Sequence, residues 1–378
     1  MKGPFCHSSC QLNLIGALSG TPVSASNDEG DHVSSAAPRP PAATIYSVAA
    51  AAGVSIASVS RALQGSSEVS ERTRAKVLAA AAKLNYVPLA AARSLAVRHH
   101  EAFALVLPEL DGPYFSELMM GFEAQASELG HSVVLLMTAG KPDLERAVRQ
   151  TATRVDGLAV LGSGPTGRAV VAALGAAKPV LFIAGDDTDD VEGIRAENLN
   201  SARDLTTHLI EHGRHRLVFV GDPTAAPDVR DRYEGFALAH QVLGRAPAPP
   251  VRVGLRERDG IRFAQTLLAG DDAHDADALV CANDELALAI MDRLTRAGRR
   301  VPADIAVVGW DDVMAARYVR PGLTTVRQPV RRLGELAATR LHGLLRGTAV
   351  EHSLHVLPTD LVLRGSCGCA EPPPPAWS

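Results

Sequence analysis

Three groups of residues in this chain have types and spacings that could do chemistry. Gly162-Ser163-Gly164-Pro165-Thr166-Gly167 satisfies G-x-G-x-x-G between the apolar run GLAVL and RAVVAAL, with Asp186 and Asp187 after the next run. Such a turn lets backbone approach a pyrophosphate while a later acid holds a ribose. By itself it would support a dinucleotide site, and so an NAD(H)-using oxidoreductase or redox-responsive regulator. The second group is Cys367-Gly368-Cys369, part of a set of five cysteines completed by Cys6, Cys10 and Cys281. With no accompanying ligands at metal spacing, these read as free thiols in a reducing cytoplasm, and no metal or cofactor is expected. The third is Ser55, Ile56, Ala57, Ser58, Ser60, Arg61 and Gln64, inside TIYSVAAAAGVSIASVSRALQ at 44–64. Hydroxyls there can meet phosphates, and the Arg61 guanidinium can bridge guanine O6 and N7. No Ser/His/Asp triad, paired-carboxylate site or metal spacing stands out among the 13 histidines, so no enzyme is expected.

The third group needs two short helices to present it. Val48, Ala49 and Ala52 share one face at helical spacing, as do Val59 and Leu63 in the next segment. Gly53-Val54-Ser55 supplies a residue that tolerates positive φ, an apolar plug and an N-cap. Small residues on the inner side allow a close, steep crossing, the arrangement of a helix-turn-helix. A third helix is predicted from Ser70 to about Leu84, with Val77, Leu78, Ala81 and Leu84 as its buried stripe. Charge is segregated to match: residues 42–100 carry seven Lys/Arg against Glu68 and Glu71, a net of +5, within a chain of net −4. A basic head on an acidic body fits phosphate binding at one end.

The pieces Thr44-Ile45, Val48-Ala49, Ala52-Gly53-Val54-Ser55, Val59-Ser60-Arg61, Val69-Ser70, Thr73-Arg74, Val77, Leu84, Tyr86, Pro88 and Ala92-Arg93-Ser94-Leu95 resemble the head of the lactose-repressor (LacI/GalR) family of bacterial transcription regulators. The resemblance runs through roughly residues 44–366. It implies that Ile56 and Ala57 hold the base-reading positions of the recognition helix. Both are apolar, so readout there falls to thymine methyls or DNA shape. Arg61 keeps a guanine contact, Gln64 reaches an adenine edge or a phosphate, and Thr44, Ser55, Ser58 and Ser60 are candidate phosphate contacts. Ser55 is equally a plain helix cap. Ile45, Tyr86 and Ala92 complete the implied DNA-binding set. The family folds the stretch after Pro88 into a hinge helix on operator DNA, where Leu95 would wedge between base pairs. A linker helix with Leu95 packed on the body is the other reading.

From Ala102 onward, apolar runs alternate with amphipathic helices: FALVLPEL, SVVLLM, GLAVLG, PVLFIAG, RLVFVGD, DALVCAND and DIAVVGWDD. This alternation predicts parallel α/β sheet covered on both faces, and about 260 residues suit two lobes. The resemblance implies a two-lobed core like a type I periplasmic binding protein. Its three lobe crossings are placed near Ala196–Asn200, Asp311–Val313 and Leu345–Ala349, with ligand between the lobes at the strand ends. The implied effector contacts are Asp111, Tyr114, Phe115, Arg232, Asn283, Asp284 and Trp310. Arg232 would otherwise be a surface ion pair with Asp228 or Asp231, Asn283 a helix cap, and Trp310 packing at the lobe junction. Leu255 stands where some relatives stack an aromatic ring. In this family the Gly162–Gly167 stretch is an ordinary loop.

The flanks complete the expected layout: a disordered tail over 1–43, the helix-turn-helix at 44–87, hinge and linker at 88–100, the core at 101–366 and a second tail at 367–378. Residues 1–43 are rich in Ser, Ala, Gly and Pro, and no run of 18 apolar residues occurs anywhere. A secretory signal and a membrane span are therefore not expected. The expected protein is a cytoplasmic regulator, a repressor, acting as a homodimer or dimer of dimers. It would bind double-stranded operator DNA and answer to a small-molecule effector such as a sugar. A solute-binding protein would share the two lobes but has no reason to carry the basic head.

Overall fold

The computed structural model describes residues 43–63, 66–86, 99–162, 165–174, 177–186, 191–242, 244–270, 275–348 and 354–370. The chain divides into two compact units after Pro88. Of the expected tail at 1–43 and the expected hinge and linker at 88–100, residues 1–42 and 88–98 lie outside the described residues, as does the end after 370.

In the first unit, α1 (Ile45–Ala52) opens on a reciprocal cap. The Ser47 N–H donates to Thr44 Oγ1 at 3.3 Å, and the Thr44 N–H donates to Ser47 Oγ at 2.8 Å. Gly53 closes the helix in the left-handed region at φ 65°, where a side chain would be strained. The chain then turns by 101° into α2 (Ile56–Leu63). α3 (Glu71–Lys83) is capped by Ser70 Oγ, which accepts from Thr73 N–H. Val48, Val59 and Val77 meet at the centre with no exposed surface, ringed by Ala49, Ala62, Ala80 and Ala81. Two expectations shift here. Ala62 lies deeper than Leu63, and Leu78 is 50% exposed while Ala80 takes the inner place. Val77, Ala80 and Ala81 follow the i, i+3, i+4 pattern of one face, and Leu78 lies 100° round from it.

In the second unit, the first lobe is a six-stranded, wholly parallel sheet in the order β10-β5-β4-β3-β1-β2. Its strands are β1 (Ala102–Leu107), β2 (Ser132–Met137), β3 (Gly157–Leu161), β4 (Val180–Ile183), β5 (Glu192–Ala196) and β10 (Leu354–Leu357). Phe103, Leu105 and Leu107 point to one face, against α4 (Pro113–Glu128) and α11 (Val330–Arg346). Ala104 and Val106 point to the other, against α5 (Leu144–Ala152) and α6 (Pro165–Leu174). This is the period-two alternation of a strand covered on both sides.

The second lobe holds a parallel sheet in the order β6-β7-β8, made of β6 (Leu217–Val220), β7 (Ala278–Cys281) and β8 (Ala306–Val308). Around it pack α7 (Leu199–Glu211), α8 (Pro227–Val242), α9 (Glu257–Ala269) and α10 (Asp284–Arg296). An antiparallel pair, β9 (Thr325–Arg327) and β11 (Asp360–Val362), lies beside it.

The first lobe crossing falls at 197–198, as expected. The second and third do not. Asp311–Val313 stays in the second lobe: Asp311 bridges to Arg327 and Val313 N–H donates to Asp284. The chain crosses instead at Gln328-Pro329, between β9 and α11. After α11 it adds β10 beside β5 before crossing at Pro358-Thr359. Neither β5 (EGIRA) nor β10 (LHVL) carries the apolar run that marked the other strands. Glu192 of β5 is fully buried because Arg340 of α11 and His355 of β10 reach it. The expected tail boundary also moves. Ser366 and Cys367 are buried in the second lobe, Ser366 Oγ accepting from Thr324 N–H at 2.8 Å, so the ordered core extends to 370. No single helix among the described residues is long and apolar enough to cross a membrane.

Candidate nucleic-acid interface and effector cavity

The outward side of α2 carries Ile56 (42% exposed), Ala57 and Arg61. Ser55 caps this helix, accepting from Ser58 N–H at 3.1 Å, and the two hydroxyls lie 2.9 Å apart. Ser55 and Ser58 thus have a local role whether or not they also meet phosphate. Ser60 is half-buried. Arg61 Nε sits 3.3 Å from Glu68, a pair in which both side chains are more than half exposed. Such a pair contributes about 1 kcal/mol or less and exchanges readily for another anion. Thr44 forms the α1 cap, whereas Ile45 and Tyr86 pack against the small core and support the helices from beneath. Gln64, Ala92 and Leu95 lie outside the described residues. One exposed residue lies outside the expected set. Tyr46, 69% exposed, follows the Thr44 cap and carries a phenol suited to a phosphate oxygen. Its signal was available, because Val48, Ala49 and Ala52 face inward and leave position 46 outside.

In the second unit a cavity of about 650 Å³ lies between the lobes at the strand ends, within the range of small-molecule sites. Tyr114 and Phe115, packed edge-to-face at 5.7 Å, form its first-lobe wall with Leu161, and Leu255 and Leu288 face them. Gly112 and Pro113 start α4 here, which turns both aromatics into the space. Burial pushes the Tyr114 phenol far up, and Asp228 and Asp311 add to this, so it is a donor at any working pH.

Arg232 on α8 is the central cation and is 6% exposed. Nε donates to Asn198 Oδ1 at 2.8 Å and Nη1 to the Ala282 carbonyl at 2.7 Å, while Nη2 lies 3.7 Å from Asp228 Oδ2. The guanidinium sits 4.6 Å from the centroid of the Trp310 ring. It is a positioned fork rather than a surface ion pair, and Asp231 pairs instead with Arg195 and Arg230. Asn283 lines the cavity but is occupied at both ends: Oδ1 accepts from Leu286 N–H and Nδ2 donates to the Leu255 carbonyl. It caps α10 and holds the Leu255 backbone in place.

Two expected contacts are not in the lining. Trp310 is 2% exposed and lies behind Arg232, so it supports the guanidinium instead of touching the space. Asp284 is fully buried. Its Oδ1 accepts from Thr325 Oγ1 at 2.6 Å and its Oδ2 from Val313 N–H at 2.9 Å, which turns it into the second lobe. Burial raises the Asp284 carboxyl to about 6, against these two hydrogen bonds.

Three lining residues take the polar work that local sequence did not reveal. Burial lifts Asp311 to about 7, with Arg232 opposing and Asp284 adding, and its Oδ1 accepts from Gln328 Nε2 at 2.6 Å. Burial also raises Asp228, against the pull of Arg232. Asp228 Oδ1 and Gln328 Oε1 are buried acceptors with no partner among the described residues. Unpaired buried acceptors are costly, and both belong to cavity-lining residues. At the mouth, Arg256 of the second lobe reaches Glu109 and Asp111 of the first, with Nη1 2.8 Å from Asp111 Oδ2. Asp111 is thus engaged across the cleft.

The glycine fingerprint has a packing explanation. A Cβ at Gly167 would fall 2.7 Å from the Gly162 carbonyl oxygen and 2.9 Å from the Phe182 ring, so glycine lets α6 sit against the sheet. Asp186 is held by Arg230 Nη1 at 2.8 Å, and Asp187 lies outside the described residues.

Comparison with known proteins agrees with this geometry. Residues 44–88 match the profile for bacterial regulatory proteins of the lacI family, and residues 206–367 match a periplasmic binding protein-like domain. The chain is 33% identical over 332 residues to the lactose operon repressor of Escherichia coli (strain K12), covering 85% of this chain and 89% of that protein. It is 31% identical over 333 residues to the HTH-type transcriptional repressor PurR of Pasteurella multocida (strain Pm70), covering 86% and 98%. Among solved structures, the lac repressor dimer bound to operator and the anti-inducer ONPF matches with a TM-score of 0.77 at 32% identity, covering 86% of this chain and 99% of that chain. Both named relatives are repressors, which gives no support to the dinucleotide or solute-binding readings. With a helix-turn-helix head, a two-lobed core and this extent of identity, the chain belongs to the lacI family of bacterial regulatory proteins.

Proposed function

We propose that this chain is a transcriptional repressor that binds a near-palindromic operator as a homodimer or dimer of dimers. Its control comes from a neutral, polyhydroxylated molecule of sugar size bound between the lobes. The relatives named for lactose and bound to operator support the general role. The observation that carries the effector class is the imbalance of the cavity lining: Asp228 Oδ1 and Gln328 Oε1 are acceptors without a partner among the described residues, and Asp311 stands beside them. Arg232, the cation deep in the lining, already has two hydrogen-bond acceptors and Asp228 nearby. Hydroxyl groups donate to such acceptors, whereas a carboxylate has no proton to offer them.

In the head, Arg61 is the strongest direct reader, with methyl contacts from Ile56 and Ala57. Leu95 is the proposed wedge of the hinge, so Leu95→Ala is expected to lose operator affinity and bending while the protein stays folded and dimeric. Unchanged bending in a circular-permutation assay would remove the wedge from the reading. Effector binding changes operator affinity, and operator must change effector affinity by the same factor.

The test is a selection of bound duplexes from a random pool, followed by thermal shift with neutral sugars, polyols, sugar acids and nucleosides. A two-fold symmetric site and stabilisation by a neutral polyol or sugar, growing as RT ln(1 + [L]/Kd), are expected. Absence of any selected sequence would defeat the operator assignment. Stabilisation confined to acids would defeat the effector class.

A further inference from the structure

The C-x-C pair, which lacks ligand partners in the linear sequence, acquires them in the fold. α7 ends at Glu211, and its last turn presents His208 and, one helical turn on, His212. The C-terminal 3-10 turn (Gly365–Cys367) brings Cys367 and Cys369 against that same turn. Gly368 between them has φ 113°, a conformation open to glycine, which permits the reversal that sends both thiols towards α7. His208 Nε2 is 3.3 Å from Cys367 Sγ and 3.5 Å from Cys369 Sγ, and His212 Nε2 is 3.6 Å from Cys369 Sγ. The ligand atoms of His208, His212 and Cys369 all lie within 4.8 Å of one another.

We propose that His208, His212, Cys369 and Cys367 form a binding site for a zinc-class cation that clamps the C-terminal segment onto α7. Zn–S bonds of about 2.3 Å and Zn–N bonds of about 2.0 Å set a tetrahedral S···N edge of about 3.5 Å. The His208–Cys367, His208–Cys369 and His212–Cys369 edges already have that spacing, and the Cys367 side chain closes the fourth position by turning towards His212. The chemistry is also matched. Two thiolates and two neutral imidazoles balance a dication, and both thiol protons leave to solvent on binding. Cys367 has an outer-shell partner in Thr324, whose Oγ1 lies 3.1 Å from Sγ and can donate to the thiolate. Thr324 adjoins Thr325, the donor to Asp284, so the clamp fastens the C-terminal segment beside β9. Access is open from one side, because His212 is exposed and Cys369 half-buried while Cys367 is buried.

The experiment uses the full chain, stripped with chelator under reductant, then freed of chelator. Titration with Co²⁺ is expected to give one equivalent per chain, thiolate charge-transfer absorption and the d–d bands of tetrahedral cobalt, all displaced by Zn²⁺. Zn²⁺ should raise the melting temperature. Cys369→Ser and His212→Ala remove little packing, so each should keep the metal-free melting temperature while weakening binding by more than about 100-fold, beyond the range of an outer-shell change. Binding that survives in both variants, weak binding without thiolate absorption, or a Cys367–Cys369 disulfide persisting in reductant would each overturn the proposal.

Discussion

The head and the inter-lobe cavity are built on opposite principles. In the head the elements are defined locally: caps join residues three apart, the inner stripe repeats at helical spacing, and Gly53 makes the turn at φ 65°. In the cavity the central group is defined by distant partners. Arg232 is held by Asn198, 34 residues before it, by the carbonyl of Ala282, 50 residues after it, and by the face of Trp310. A surface presented by short helices follows from periodicity. A pocket assembled from strand ends follows from which partners each side chain finds across the fold.

The sharpest way to break this contrast is Arg232→Ala. It leaves Asp228 buried without its cation, which costs about 3–5 kcal/mol, and it should abolish effector response while DNA binding survives below the lowered melting temperature. Arg232→Lys keeps charge without the fork and should restore stability more than response, as read by thermal shift and induction of operator release. Normal induction by both variants would remove Arg232 from the site.

Arg61→Ala comes next. Losing the proposed bidentate guanine contact should weaken operator binding by about 1–3 kcal/mol and leave binding to unrelated DNA almost unchanged, measured by gel shift. An equal loss on both DNAs would turn Arg61 into a phosphate contact. Glu68→Gln frees Arg61 from its exposed pair and should change affinity by less than about 1 kcal/mol.

A smaller effect concerns pH. Burial raises Asp284 to about 6 and Asp311 to about 7, so both hold protons longer in the folded state than in the unfolded chain. Their contribution to stability is therefore greatest in acid and is lost as pH rises from about 4 to about 7. Asp284→Asn should reduce the decline between about 4 and about 6, and Asp311→Asn should reduce it over the whole range including the stretch from about 6 to about 7, seen in melting temperature against pH. Unchanged slopes in both would show that these carboxyls are not the titrating groups. Because Asp284 faces Thr325 and Val313, Asp284→Asn should affect effector affinity less than Asp311→Asn does.

The smallest effect is expected for Arg256→Ala. The pairs to Glu109 and Asp111 bridge the lobes at a partly solvated mouth, so their loss should shift effector affinity by about 1 kcal/mol or less and reduce its salt dependence.

The sequence alone determined the elements whose signal is carried by near neighbours. The head helices, their caps and glycine turn, the outward place of Ile56, Ala57 and Arg61, and the apolar strands β1 to β4 and β6 to β8 all belong to that class. Tertiary structure decided the rest, because the relevant energies come from residues far apart in the chain. EGIRA and LHVL become strands beside neighbours already in a sheet, and the pairing of LHVL with β5 moved the third lobe crossing; the second moved because Asp311 and Val313 bond within the second lobe. Asp284 and Trp310 sit at expected strand ends, yet Thr325 and Arg232 turn them away from the cavity. Cys367 and Cys369 acquire ligand partners only because a C-terminal turn meets the end of a helix some 160 residues earlier, at His208 and His212.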